Sequence, residues 1–191
     1  AIMELAHKNV PHWVDLIGSI FGVCVGAYTG CLLGGVKTFP LWNSPVLPVL
    51  FLVSAISTGM ASVLIVTLIH DPDQAEELTS VTAVHYWLPI AEMVLVAAML
   101  FIVNTAGAQA HETVMGLLVG QFAPWFWIGF IIIGLVLPAI IETVGKFGKT
   151  KQTPQIAGIV SEAGVLIGGY LLRFIVVTAA LPVTIVIPAV L

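Results

Sequence analysis

Charged side chains are scarce in this sequence, since only 8% of its 191 residues are Asp, Glu, Lys or Arg. A soluble domain carries about a quarter charged residues, so six Lys or Arg and ten Asp or Glu are too few to solvate its surface. Hydrophobic residues make up 59% of the sequence and form long runs. The composition argues against a water-soluble enzyme, a nucleic-acid-binding protein and a disordered tail, and it indicates an integral membrane protein.

Cysteine is also rare, and Cys24 and Cys31 lie two helical turns apart, too far for a disulfide. We interpret both as packing residues, because neither belongs to a CxxC pair. No nucleophile–base pair, phosphate loop or zinc motif is present, and the histidines lie at predicted span ends or in loops. We therefore expect neither haem nor a metal centre. Such histidines are usually solvated, although His85 beside Tyr86 can exchange protons near neutral pH.

Five apolar stretches are long enough to cross a hydrocarbon core of roughly 30 Å, which takes about 20 helical residues. They cover residues 13–35, 47–69, 86–107, 124–145 and 157–180. The runs are continuous and do not alternate with polar residues, so helices are favoured over barrel strands. The sequence thus predicts one all-α transmembrane domain over residues 1–191, with about five spans and an apolar tail at 181–191.

Positive charge is distributed unevenly between the two faces of this bundle. Lys8, Lys146, Lys149 and Lys151 lie on the face that holds the N-terminus, whereas Lys37 is alone on the other. Because cytoplasmic helix ends carry an excess of Lys and Arg, we expect the N-terminal face to be cytoplasmic. Tryptophans fall at or near the span ends, as in an interfacial aromatic belt, at Trp13, Trp42, Trp87, Trp125 and Trp127.

The first predicted span carries a glycine at every fourth position. These glycines are Gly18, Gly22, Gly26, Gly30 and Gly34. A stripe of small residues lets a neighbouring helix approach closely, so the pattern predicts a helix–helix contact. Because glycine has no side chain, the same stripe could instead leave space for a flat ligand.

Ionisable residues within apolar spans tend to mark proton paths or buried pairs. Glu92 and Glu162 lie more than one turn inside the third and fifth predicted spans, and we expect either proton transfer or a neutral, hydrogen-bonded carboxyl. Asp15 and Glu142 lie near span ends, where a headgroup-level position is the simpler expectation, and Asp15 is kept as a candidate for the proton relay. Arg173 cannot lose its proton, so it needs an anionic or carbonyl partner within its span.

The segment after the first span is rich in proline and reads PLWNSP at residues 40–45, twelve positions beyond Tyr28. Prolines with a Trp and an Asn indicate a rigid, non-helical link at the outer surface. Together with Tyr28-Thr-Gly, the following LPVLFLVSA at 47–55 and GGYLLRFIVV at 168–177, this segment resembles the NrfD/PsrC family. Its members are membrane subunits of polysulfide reductase and of related molybdoenzyme and multihaem cytochrome complexes. The resemblance covers the sequence as the latter five of the family's eight core helices.

The resemblance implies a helical bundle without its own haem or metal, in the cytoplasmic membrane of a bacterium or archaeon. Such a subunit exchanges electrons between a quinone (menaquinone or ubiquinone) and a ferredoxin-like iron–sulfur subunit on the periplasmic face. A catalytic reductase, a dehydrogenase or a multihaem cytochrome completes the complex. The tyrosine that matches Tyr28 lies at the quinone head group in the polysulfide reductase type. Tyr28, Trp42 and Asn43 are therefore the predicted quinone-binding residues.

The predicted mechanism places quinol near Tyr28, while protons move through a relay whose acids lie in the cytoplasmic half and whose arginine lies in the other half. The relay candidates are Asp15, Glu92, Glu162 and Arg173. Two other functions stay open. A non-redox structural anchor for a peripheral enzyme predicts no bound quinone, and a polytopic transporter predicts an inverted repeat, of which the sequence shows no clear sign.

Overall fold

The protein is described by a computed structural model that covers residues 12–70, 79–147 and 155–180. Within these residues it forms the helices α1 His12–Gly34, α2 Val46–His70, α3 Thr79–Asn104, α4 Ala108–Leu118, α5 Trp125–Val136, α6 Leu137–Phe147 and α7 Gln155–Thr178. Five helical stretches are long and apolar enough to cross a membrane, and α5 and α6 together make the fourth. The prediction of an all-α, multi-pass membrane protein is confirmed. The tail at 181–191 and three of the lysines used for the orientation, Lys8, Lys149 and Lys151, lie outside the described residues.

Two elements differ from the prediction. The third span was expected from residue 86, but α3 begins at Thr79, because the helix continues through a more polar turn before its apolar part. The connection around His111 was expected to be a loop, but it contains the short helix α4. The buried residues of α4 are spaced three or four apart, as on an amphipathic helix, and are Ala110, Thr113, Val114 and Leu117.

The helices α2 and α7 hold the bundle together. Helix α2 packs against α1, α3 and α7, and α7 packs in addition against α5 and α6. Large apolar side chains fill the space between them, among them Phe51 of α2, Phe130 of α5 and Ile175 of α7, each at most 2% exposed. Helix α1 contacts the bundle along one side only, and most of its apolar side chains are exposed in the described part of the protein.

The glycine stripe of α1 makes the predicted helix contact over part of its length. A Cβ atom placed at Gly30 would lie 2.6 Å from the Cα of Pro48, and one at Gly26 would lie 3.1 Å from the Cβ of Ala55. At Gly18 and Gly22, by contrast, a Cβ would meet no described atom within 4 Å. The prediction of close packing is therefore confirmed for the half of the stripe that faces α2.

A second close approach joins α5 to α7, where the sequence carries a shorter glycine pattern, Gly164 and Gly168, four positions apart. A Cβ atom at Gly134 would lie 2.5 Å from the Cα of Gly168, and one at Gly164 would lie 2.7 Å from the carbonyl oxygen of Ile133. The two backbones thus touch, which only glycine permits at these positions. This contact fixes α7 against α5 and so positions the polar side chains of α7.

We expect Gly134→Ala to lower the stability of the protein by about 1–3 kcal/mol, because the methyl group forces two backbones apart. Gly59→Ala is the matched control, since Gly59 lies on α2 and its Cβ would meet no described atom within 4 Å. Its helix should gain up to about 1 kcal/mol from the better helix former. Thermal unfolding in detergent, followed by tryptophan fluorescence, measures both variants. Equal unfolding temperatures for the two would contradict the tight contact.

Candidate functional site

Buried polar side chains form a continuous group inside the bundle, which we call the polar column. It consists of Ser54, Ser57, His85, Glu92, Glu142, Glu162 and Arg173. Four of its members lie in pairs on two helices, and each pair shares one face of its helix. His85 and Glu92 are seven residues apart on α3, which is two turns, and Glu162 and Arg173 are eleven residues apart on α7, which is three turns.

One end of the polar column is a cluster of one histidine and two glutamates, His85, Glu142 and Glu162. The Nε2 atom of His85 lies 2.9 Å from Oε2 of Glu162 and 3.7 Å from Oε1 of Glu142. The three side chains come from α3, α6 and α7, and all three are buried, with His85 fully so at 0% exposure. We refer to these residues as the histidine–glutamate cluster.

The middle of the polar column is Glu92, which is 3% exposed. Its carboxyl group neighbours the hydroxyl group of Ser57 on α2, and it lies within electrostatic range of both Arg173 and His85. A carboxyl group at this depth has no bulk water around it, so its neighbours decide whether it carries a proton. Glu92 thus connects the cluster to the opposite end of the column.

The other end of the polar column is Arg173, and its contacts match the expected need for a carbonyl partner. Its Nη1 donates to the backbone carbonyl of Gly169 at 2.8 Å and to Oγ of Ser54 at 3.3 Å. The guanidinium carbon also lies 5.7 Å from the ring centroid of Phe51, within the range of a cation–π contact. These partners hold the positive charge between α2 and α7.

The sequence analysis predicted some residues of the polar column and missed others. The structure brings Glu92, Glu162 and Arg173 together in one column. Glu142 was expected at the headgroup level, but it is only 9% exposed, and His85 was expected to be solvated, but it is completely buried. The expectation of a solvated His85 is wrong, because α3, α6 and α7 close around both side chains. Asp15 lies on α1, but its side chain is outside the part that the structure describes.

Tyr28 lies on the outward face of α1 and its side chain is 63% exposed. Gly26 and Gly30, each two positions away, face α2. Two positions turn a helix by about 200°, so the phenol points away from α2. It is thus accessible from the side of the bundle and not enclosed by the described helices. From Gly34, where α1 ends, Tyr28 is six residues back, or about 9 Å along the helix axis.

The segment between α1 and α2 is folded tightly onto the end of the bundle. Leu41 is fully buried, and the rings of Phe39 and Trp42 are in contact in a tilted arrangement with centroids 4.1 Å apart. The Trp42 indole N–H donates to the carbonyl of Val176 at 2.7 Å. The Trp42 donor is thereby used to attach the segment to α7. The side chain of Asn43 is exposed at the same end.

An apolar groove of about 300 Å³ lies elsewhere, between α3 and the α5–α6 span. Its lining includes Pro89, Met93 and Ile140, and Thr143 is its one polar side chain. Such a lining suits a hydrocarbon tail and offers little to a polar head group. The groove does not include Tyr28, Trp42 or Asn43.

A series of carboxyl, imidazole and hydroxyl groups inside a membrane protein can carry protons, and the same groups at one end can coordinate a cation. An exposed phenol at membrane depth can donate a hydrogen bond to a carbonyl of a lipid-soluble ligand. The polar column lies inside the bundle, whereas the phenol of Tyr28 lies on the outward face of α1.

Comparison with known proteins identifies the family of this protein. The family model described as "Polysulphide reductase, NrfD" matches residues 1–185. The Protein NrfD homolog of Haemophilus influenzae is 31% identical over 168 residues, which is 87% of this sequence and 52% of that protein. Protein NrfD of Escherichia coli is 29% identical over 174 residues, which is 89% of this sequence and 53% of that protein.

The C subunit of polysulfide reductase from Wolinella succinogenes is 29% identical over 171 residues, covering 87% of this sequence and 53% of that protein. No solved structure gives a significant match. The protein described here spans about half the length of the curated relatives it matches. Because the family model extends over nearly all of the sequence, the protein belongs to the polysulphide reductase NrfD family.

Proposed function

We propose that this protein is the quinone-reactive part of the membrane subunit of a respiratory oxidoreductase complex in a bacterial or archaeal cytoplasmic membrane. Electrons pass between the quinone pool and a ferredoxin-like iron–sulfur subunit on the periplasmic face, which serves a catalytic reductase, a dehydrogenase or a multihaem cytochrome. Family membership over residues 1–185 and the likeness to the C subunit of a polysulfide reductase support this proposal.

The observation that carries the quinone site is the exposure of Tyr28 at the side of a membrane-spanning helix. A quinone diffuses within the hydrocarbon layer, so it reaches a side chain on the outward face of α1 without crossing the bundle. The phenol then donates a hydrogen bond to a quinone carbonyl, while the isoprenoid tail stays among the acyl chains. In this arrangement the substrate is bound at the lipid boundary of the subunit.

The folded segment after α1 forms the outer limit of this site. Because the Trp42 N–H is engaged by Val176, Trp42 contributes by holding the segment in place. Asn43 is exposed and supplies amide donors and an acceptor at the same end of the bundle. Asn43 is thus the second candidate for hydrogen bonding the head group.

The polar column provides a route for protons from the opposite end of the bundle. Quinol oxidation releases both electrons and protons, and quinone reduction consumes both, so a redox subunit needs a way to move protons as well. Glu162 lies at the histidine–glutamate cluster, and Glu92 lies two helical turns beyond it towards Arg173. We infer that protons enter at the cluster, with Asp15 as a further candidate donor, and continue through Glu92.

We expect Tyr28→Phe to lower kcat/KM for quinol oxidation or quinone reduction about fivefold to tenfold, because one hydrogen bond of about 1 kcal/mol is lost. The measurement is steady-state turnover of the complex with a quinol analogue. Tyr170→Phe is the matched control, since Tyr170 is equally exposed, at 68%, but lies on α7. A Tyr28→Phe variant with the kinetics and inhibitor binding of Tyr170→Phe would count against the site.

We expect Glu92→Gln to slow proton uptake from the cytoplasmic side about 100-fold, because it removes the carboxyl group in the middle of the column. Proton uptake is measured with a pH-sensitive dye in proteoliposomes during quinone turnover. Glu112→Gln is the control, since Glu112 is exposed on α4. Unchanged proton uptake and turnover in Glu92→Gln would exclude the route through the polar column.

A further inference from the structure

The histidine–glutamate cluster brings three potential metal ligands to one point. Each residue offers one donor atom, and the donor atoms of His85, Glu142 and Glu162 all lie within 4.8 Å of one another. They are separated by 57 and 20 residues, so they form no sequence motif, and a metal site at this point departs from the expectation of no metal centre that we drew from the sequence. Three helices converge to produce the arrangement, and this gives it the rigidity that a coordination site needs.

The spacing of the donor atoms suits a small tetrahedral cation. Zinc binds histidine nitrogen at about 2.0–2.1 Å and carboxylate oxygen at about 2.0–2.2 Å, so its ligand atoms lie about 3.4 Å apart. The observed separations from His85 Nε2 are 2.9 Å and 3.7 Å, on either side of this value. The two glutamate donor atoms lie within 4.8 Å of each other, so all three donor atoms are near enough to surround one ion once the side chains adjust. The fourth position stays free for water.

The state of His85 is a separate observation that favours a cation. Its ring is completely buried, yet neither Nδ1 nor Nε2 makes a hydrogen bond of regular geometry within the described residues, and neither does Oε2 of Glu162. The approach of Nε2 to this oxygen has the distance of an ion pair but not the alignment of a hydrogen bond. A buried polar atom without such a bond is costly, and coordination to a metal ion through Nε2 would satisfy it.

The charges at this end of the polar column also match a divalent ion. Two carboxylates and a neutral imidazole carry two negative charges, and a divalent cation neutralises them inside a medium of low dielectric constant. Among the described helices, Glu92 is the other charged side chain within electrostatic range of His85, and Arg173 at the far end of the column opposes the charge of Glu92. A mixed nitrogen and oxygen ligand set favours zinc or a similar transition metal over magnesium or calcium.

We propose that His85, Glu142 and Glu162 form a binding site for a divalent transition-metal cation of the zinc type, buried between α3, α6 and α7. This site is distinct from the quinone site at Tyr28, and cation binding does not depend on electron transfer. The donor set has one open position, which is typical of a site that can exchange its ion or bind water.

The test uses the purified protein in detergent, carrying a tag without histidine and stripped of metal with a chelator. Isothermal titration with Zn²⁺ should show one site per protein molecule. Titration with Co²⁺ should give the intense visible bands of tetrahedral coordination. Glu162→Gln and His85→Gln should each weaken Zn²⁺ binding at least about 100-fold, since losing even a supporting partner of a ligand costs 10–100-fold.

Matched controls separate this site from surface binding and from the proposed function. His111→Gln removes an exposed histidine and should leave the titration unchanged, as should Tyr28→Phe. Size-exclusion profiles and unfolding temperatures show which ligand variants stay folded, and Glu142→Gln supplies another ligand variant. Absence of a one-to-one site, a Co²⁺ spectrum of octahedral type, or equal affinities in folded ligand variants and in His111→Gln would each overturn the proposal. None of these results bears on the quinol kinetics that test the Tyr28 site. A bound cation would, however, occupy the groups proposed as the entry for protons, so proton uptake that is unchanged by saturating Zn²⁺ would separate the two roles of the cluster.

Discussion

Ionisable groups in a bilayer have no water to stabilise them, and this constraint organises the whole polar column. The carboxyl groups of Glu92 and Glu162 and the guanidinium of Arg173 all require partners within the bundle. Those partners come from helices that are distant in sequence. Ser54 on α2 accepts from Arg173, and His85 on α3 contacts Glu162. The packing of α2 against α3 and α7 thus brings these polar side chains together and buries the apolar surfaces.

The transmembrane spans were predictable because each helix satisfies its own backbone hydrogen bonds and needs only sufficient apolar length. The short helix α4 was not predictable in this way, because its eleven residues are too few to span a membrane. Its apolar face became apparent only from the residues that are buried in the structure. The early start of α3 at Thr79 was missed for a similar reason. Apolar length marks the part of a helix that lies in lipid, whereas the helix itself continues into polar sequence until its hydrogen bonding ends.

The candidate site was predictable only where one residue was conspicuous by itself. Glu92, Glu162 and Arg173 stand out because they interrupt apolar runs. His85 and Glu142 do not, because a polar residue near a span end is ordinarily hydrated, and their burial depends on how α6 and α7 pack. One usable signal was present, since His85 lies seven residues before Glu92 and so shares its helix face. That spacing does not predict the contact of His85 with Glu162, which is 77 residues away on another helix.

The polar column and Tyr28 lie on opposite sides of α2. Arg173 lies five residues before the end of α7, about 8 Å along the axis, and Tyr28 lies about 9 Å from the end of α1. The Trp42–Val176 hydrogen bond joins the segment after α1 to the same end of α7. The positive end of the polar column and the outward phenol therefore lie at similar depth, with α2 between them. In the route that we propose, a proton that leaves the column beside Ser54 would have to pass α2 to reach a quinone at Tyr28. The close glycine contact between α1 and α2 would shorten that last step, so the stripe would contribute to positioning as well as to packing.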